Sequence, residues 1–269
     1  MLQFDKKASS TIFGYLGFNN YGDELLATTL IDKYGLEDYK YLSKKDSVFA
    51  HLKLLFITKQ VFAIGGLFQD QTSYFSLFYY CFLLRLFQVF GKQVFLIRVG
   101  VGPIESEASR YTLFTCLRNI PNITVRDKYS KELLASINIE STLEKDLAWL
   151  NDGLVTKAKA NAKTLICVRN INDWLLVKER FEFDNFDLLL MQKEFDLAQK
   201  IRSETGFGVD VIDPFAYALD DLLFTISAYD KLISSRYHAA ILGFLAKVDV
   251  KILEISPKLS SVFNTIAEA

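Results

Sequence analysis

Apolar positions along the chain switch repeatedly between two spacings. Short runs rich in β-branched and aromatic residues alternate with longer stretches in which apolar side chains recur every three or four residues. That alternation predicts strands and helices in turn, layered as an α/β fold rather than all-β or all-α. "STIFGYLG" reads as a strand running into a glycine-rich loop, and "GDELLATTLIDKYG" as the helix behind it. "KLLFITKQVFAIGG" contains a strand ending in Gly65-Gly66, and "KQVFLIRVGVGP" is another strand that ends in glycines. "SEASRYTLFTCLRN" is a helix, "NITVRD" a short strand, "KYSKELLASIN" a helix, and "STLEKDLAWL" the last element of this half.

Residues 151–163, "NDGLVTKAKANAK", are small, polar and charged without apolar periodicity, and so predict a linker. The pattern restarts with strand "TLICVRN", a polar-aromatic stretch, and a long helix around "LLLMQKEFDLAQKIRSETG". Strand "VDVID", helix "ALDDLLFTISAYD", strand "KLISS", helix "YHAAILGFLA" and strand "VKILEIS" follow. Two consecutive domains are expected, 1–153 and 160–269, each with a mostly parallel sheet. Right-handed crossovers would bring the strand-end loops of each sheet to one edge.

Residues 74–90, "YFSLFYYCFLLRLFQVF", are apolar nearly all round, but Arg85 and Gln88 interrupt them and Gly91-Lys92 ends them. A membrane span needs about 20 largely uncharged residues, so a buried helix is the expectation. A helix lying on a membrane surface is the second reading, and its thin polar face disfavours it.

Composition narrows the class. The chain has 269 residues, 51% of them hydrophobic and 14% aromatic, which supports ordinary cores and excludes disorder. A net charge of −1 gives no bulk attraction to nucleic acid, so no nucleic-acid partner is expected. Cys81, Cys116 and Cys167 are far apart in sequence and lack CxxC spacing, which predicts reduced thiols rather than a disulfide framework or a zinc site. The first residues have no apolar core of signal-peptide length, so a cytoplasmic location is expected.

In parallel α/β sheets, ligands bind beyond the carboxyl ends of the strands. The loops there are "GYLGFNNYGDE" (14–24), "GGLFQDQTS" (65–73), "GVGPIESE" (100–107) and "RDKYS" (126–130) in the first half. In the second they are "RNIND" (169–173), "DPF" (213–215), "SRYH" (235–238) and "SPK" (256–258). Glycines let backbone N–H groups approach an anion, and a helix N-terminus behind them adds positive potential. The spacing of Gly14, Gly17 and Gly22 does not fit a dinucleotide fingerprint, and Asp23 and Glu24 also suit a plain helix start. "VRD" at 125–127 reads either as a ligand-facing arginine or as an Arg–Asp pair that fixes the next helix. In "SRYH", Arg236 can grip a carboxylate or phosphate with two hydrogen bonds, and His238 titrates near neutral pH and can move a proton. A structural helix cap is the equal alternative at that position.

In order along the chain, these pieces resemble the polysaccharide pyruvyl transferase family, the CsaB-type enzymes. The resemblance is carried by "GYLGFNNYGDELL", "AIGGLFQDQTSYFSLFYY", "VFLIRVGVGP", "ITVRDKYSKELL", "EKDLAWL", "ICVRN", "VIDPF", "LISSRYHAAILGFLA" and "ISPKLSSVF", spanning residue 12 to about residue 263. It implies two Rossmann-like domains facing a cleft, GT-B-like. It implies transfer of pyruvate from phosphoenolpyruvate, as a ketal, onto a sugar of a bacterial cell-wall or exopolysaccharide precursor, often lipid-linked, with release of phosphate and without a metal or other cofactor. On the same basis His238 is the catalytic residue, Arg126, Arg236 and Lys258 bind the donor, and Asp23 and Asn19 lie on the acceptor side. The chain is shorter than most members, "GGLFQD" has two glycines where three are common, and "ISPK" lacks a nearby aromatic. A nucleotide-sugar glycosyltransferase of GT-B fold and a non-catalytic descendant are the alternatives, with Glu254 the only candidate acid for a ribose. A homo-oligomer and a peripheral association with the inner membrane face stay open.

Overall fold

Every residue of β1 (Ser10–Phe13) is buried, as expected of a strand covered by helices on both faces. The computed structural model describes residues 4–43, 45–71, 73–152, 162–205 and 208–253. The chain divides into two compact units. The first comprises residues 1–18 and 23–150; the second comprises 151–269 together with the short segment Asn19–Gly22.

In the first unit β1 leads to α1 (Tyr21–Tyr34), β2 (Tyr39–Leu42), α2 (Val48–Ile57), β3 (Gln60–Ala63) and α3 (Tyr74–Val89). Then come β4 (Gln93–Val99), α4 (Glu107–Leu117), β5 (Ile123–Val125), α5 (Lys128–Ser136) and β6 (Thr142–Leu143). The sheet is parallel throughout in the order β2-β1-β3-β4-β5-β6. Helices start where the sequence supplies acceptors: Ser47, Ser106 and Asp127 each accept a backbone N–H at the first turn of α2, α4 and α5. Apolar side chains of α2, α3, α4 and α5 pack with the sheet into one core that includes Leu54, Leu77, Phe87, Leu96, Leu113 and Val125.

The second unit runs β7 (Thr164–Cys167), α6 (Ile171–Arg180), β8 (Phe186–Leu189), α7 (Phe195–Thr205) and β9 (Val211–Ile212). It continues with α8 (Leu219–Ser227), β10 (Lys231–Ser234), α9 (Tyr237–Leu245) and β11 (Asp249–Ile252). This sheet is also parallel, ordered β11-β10-β7-β8-β9. Trp174, Val177, Ile166, Leu188, Ile201 and Ile233 form its core.

Three sequence expectations are corrected here. "LLLM" does not begin a helix: Leu188 and Leu189 end the buried strand β8, and α7 starts only at Phe195. A four-residue apolar run fits a buried strand and a buried helix equally, and sheet pairing decided it. The "polar-aromatic stretch" before it contains α6, capped by Asn170. Finally, α3 is buried on one face only: Leu77, Tyr80, Cys81, Leu84 and Phe87 face the core, while Phe75, Phe78 and Phe82 are exposed. Among the described residues no helix is long and apolar enough to cross a membrane.

Candidate functional site

Strand order marks where each sheet can take a ligand. In the first sheet successive connections leave β1 and β3 in opposite directions, and in the second they leave β7 and β10 likewise. Loops that diverge at such a switch point leave a crevice beyond the strand ends. The loops concerned are 14–18 and 64–69 in the first unit and 168–170 and 235–236 in the second.

At the second switch point, β10 ends at Ser234 and α9 begins at Tyr237. Ser234 Oγ accepts the Arg236 backbone N–H at 2.9 Å and donates to the Arg236 carbonyl at 3.0 Å, which fixes the turn. Ser235 Oγ donates to Asp173 Oδ2 at 2.6 Å and accepts the Arg169 N–H at 3.2 Å, tying the β10 loop to the β7 loop. Arg236 occupies the helix N-cap with an extended backbone and sends its guanidinium to Gln192 Oε1 at 3.1 Å and into an ion pair with Glu194. Both side chains of that pair are largely buried. The Arg236 side chain makes no capping hydrogen bond to α9.

His238 lies on the first turn of α9, edge-on to Tyr237 with 5.3 Å between ring centroids. Its ring also lies on the α-carbon of Gly22, where a β-carbon would fall inside contact distance of Nδ1. Gly22 belongs to the segment Asn19–Gly22 of this same unit. That segment is pinned here by Tyr21, whose N–H donates to Met191 O at 2.8 Å and whose ring stacks edge-on with Phe215. Asn20 forms a bridge with Gln192, and Asn19 takes a left-handed backbone with φ 54°. Beneath the turn, burial pushes the Cys167 thiol up to about 12, and the arginine and serine around it pull the other way.

The first unit gathers Asp23, Gly65, Gly66, Gly100 and Arg126. Arg126 follows β5 and donates from Nη1 to Asp146 Oδ2 at 2.9 Å, with both side chains buried. A β-carbon on Gly100 would come 2.8 Å from Nε and Nη2, and one on Gly66 3.5 Å from Nη2. These glycines are therefore the bed on which the guanidinium lies. Asp127 is not the main partner: its Oδ1 caps α5 through the Ser130 N–H at 2.7 Å, and its Oδ2 stands 3.9 Å from Arg126 Nε. Asp23 is buried in the first turn of α1 beside Gly65, whose φ of 78° only glycine takes readily. Two buried acceptors, Asp127 Oδ2 and Glu194 Oε2, make no hydrogen bond to the described residues.

The structure thus brings Arg236 and His238 together on one turn and puts Arg126 and Asp23 at the strand ends of the other unit. Lys258 and Glu254 lie outside the described residues. Glu194 and Asp146, the carboxylates that hold the two arginines, were not singled out from sequence, although each closely follows a strand. Among the described residues no His/Cys/Asp/Glu cluster suited to a metal occurs. The three cysteines are free and buried; Cys116 Sγ lies 3.4 Å from the Cys81 carbonyl.

A family model described as polysaccharide pyruvyl transferase matches residues 20–250. A comparison with curated proteins finds no match. Among solved structures, the chain is similar to a functionally uncharacterized protein from Klebsiella pneumoniae, with 15% identity, 96% of this chain and 88% of that chain covered, and a TM-score of 0.56. It is also similar to UDP-N-acetylglucosamine 2-epimerase from Rickettsia bellii, at 8% identity, 98% and 88% coverage and a TM-score of 0.55. A UDP-GlcNAc 2-epimerase from Methanocaldococcus jannaschii follows at 10% identity, 94% and 86% coverage and a TM-score of 0.50. At such identities the likeness shows the fold, two Rossmann-like units of GT-B-like type, and nothing of the chemistry.

Proposed function

The chain belongs to the polysaccharide pyruvyl transferase family, and from that premise we propose that it moves pyruvate from phosphoenolpyruvate onto two hydroxyls of a polysaccharide precursor as a cyclic ketal. The observation that carries the reading is the turn at Arg236 and His238, a cation and a proton-transfer group side by side on the first turn of a helix at a sheet switch point. Phosphoenolpyruvate carries a carboxylate and a phosphate, and the Arg236 fork suits either. Its ion pair with Glu194 would open as the anion arrives.

In this reading His238 delivers a proton to the methylene carbon, which becomes the methyl group and leaves C2 electrophilic. One acceptor hydroxyl adds to C2 and loses its proton, the C2–O bond to phosphate breaks, and the second hydroxyl closes the ring. Of the two hydroxyl protons, one ends on the new methyl and the other on the released phosphate. Glu194 Oε2, a buried acceptor without a hydrogen bond among the described residues, suits a hydroxyl donor. Arg126 and Lys258 would supply further cations for the donor, and Asp23 and Asn19 would face the glycan. The donor needs no further cofactor in this scheme. The acceptor would be a cell-wall or exopolysaccharide unit made on a lipid carrier in the cytoplasm.

The test is phosphate release from phosphoenolpyruvate in the presence of a lipid-linked glycan fraction. General acid–base help is worth roughly 10²–10⁴-fold, so His238→Ala should lose turnover on that scale with the fold intact. Phosphate release by His238→Ala at the parent rate would remove His238 from this role. Thermal stabilisation by UDP, with none by phosphoenolpyruvate, would overturn the donor.

A further inference from the structure

The first unit carries an exposed aromatic face that the reaction does not use. On α2, Phe49, Leu52 and Phe56 stand at i, i+3 and i+7; on α3, Phe75, Phe78 and Phe82 repeat that spacing. Each set therefore forms a stripe on one side of its helix. All six are exposed, Phe75 at 79%, Phe49 at 78% and Phe56 at 71% of full accessibility. The helices are neighbours: His51 Nε2 lies 3.0 Å from the Tyr79 hydroxyl, and Phe56 meets Phe90, just past α3, edge-on at 5.9 Å. Phe78 and Phe82 stack at 6.0 Å, so the stripe is continuous along α3. Cores bury Phe, and a solvated helix face normally carries Lys, Glu or Gln.

Charge identifies the occupant. Between Ser47 and Lys92 the chain holds Lys53, Lys59, Arg85 and Lys92 against a single acid, Asp70. Asp70 is itself engaged by the backbone N–H groups of Glu105 and Ser106. On the far side of α3, Glu107 of α4 is paired with Arg110. A chain of net charge −1 has therefore placed an aromatic face in a stretch where four bases stand against one acid. A second copy fits poorly, because a two-fold contact sets a patch against itself and would oppose Lys53 and Arg85 to their own images, bases that outnumber the nearby carboxylate Asp46. An anionic lipid surface supplies both requirements, an apolar boundary for the phenyl rings and negative headgroups for the lysines and arginine.

We propose that α2 and α3 form a monotopic docking face, seated on anionic membrane with the two aromatic stripes in the headgroup–acyl boundary. The inference is independent of the reaction proposed above. The full chain should co-float with vesicles containing phosphatidylglycerol, far less with pure phosphatidylcholine, and less at high salt. Phe75→Ser/Phe78→Ser/Phe82→Ser changes only exposed positions and should cut the vesicle-bound fraction roughly tenfold with an unchanged circular dichroism spectrum. Flotation of that variant equal to the parent, equal flotation with neutral vesicles, or no flotation of the parent would each overturn the proposal. So would a parent dimer in sedimentation equilibrium that the triple substitution turns into a monomer.

Discussion

Arg236 and Glu194, 42 residues apart in the chain, form a largely buried ion pair at the carboxyl end of the second sheet. In the proposed reaction this pair must be exchanged rather than simply filled when the donor anion binds. Glu194 both orients the guanidinium and repels an incoming phosphate or carboxylate. Glu194→Gln keeps the shape and removes the competing charge. The KM for phosphoenolpyruvate should fall severalfold, at some loss of stability because a buried cation has lost its counter-ion. A KM that stays constant or rises would make Glu194 a mere support.

Gly22 lies against His238. Its helical position without a left-handed φ means alanine would ordinarily gain about 1 kcal/mol. A β-carbon there would, however, fall inside contact distance of the imidazole and stand 2.8 Å from His238 Cβ, which ring rotation does not move. The imidazole must turn, and the backbone at one of the two residues must give as well. Gly22→Ala should therefore lower the melting temperature and, in the proposed reaction, lose most phosphate release. Parent-level turnover would show that the present imidazole position is not needed.

The alternation of periods made both sheets legible, because parallel strands covered on two faces leave short apolar runs, as in "STIF" and "TLIC". β2 escaped notice because an edge strand is mostly exposed, as Tyr39–Leu42 is, and α2 because its apolar residues merge into those of β3. The arginines and the histidine were legible from their place after a strand. Their carboxylate partners were not, since pairing at separations of 20 and 42 residues depends on sheet order and not on local spacing. Reading "DLLLM" as a strand would have put Glu194 at a strand end, where the rule that found Arg236 applies.

Arg126 and Asp146 make the second unit of charge that can be tested by removal. Both are buried, so Asp146→Asn takes this carboxylate from the Arg126 cation, with Asp127 Oδ2 3.9 Å from its Nε. Breaking one side of a buried pair costs about 3–5 kcal/mol, whereas replacing both partners by apolar residues is often neutral. Urea unfolding should show the large loss for Asp146→Asn and recovery of most of it in Arg126→Met/Asp146→Leu. Equal losses in the two variants would mean that the pair is not the source of the stability.

The cysteines offer an alkaline test of the same packing. Cys81, Cys116 and Cys167 are all buried, Cys167 completely. Burial lifts Cys167 from the ordinary thiol value of 9.0 to about 12. The Cys81 thiol is raised by its hydrogen bond with Cys116 and then by burial. A group whose pKa is raised in the folded state contributes stability that is whole below its unfolded value and lost as pH climbs toward the folded one. The window is therefore pH 9 to about 12, with a loss of about 1.4 kcal/mol per pH unit for each such thiol inside it. At pH 8 the native protein should leave a thiol reagent unreacted, and denaturant should release three equivalents. In urea, midpoints should be level from pH 7 to 9 and fall above it, less steeply in Cys167→Ala. Fast reaction of the native protein at pH 8 would contradict the burial on which both expectations rest.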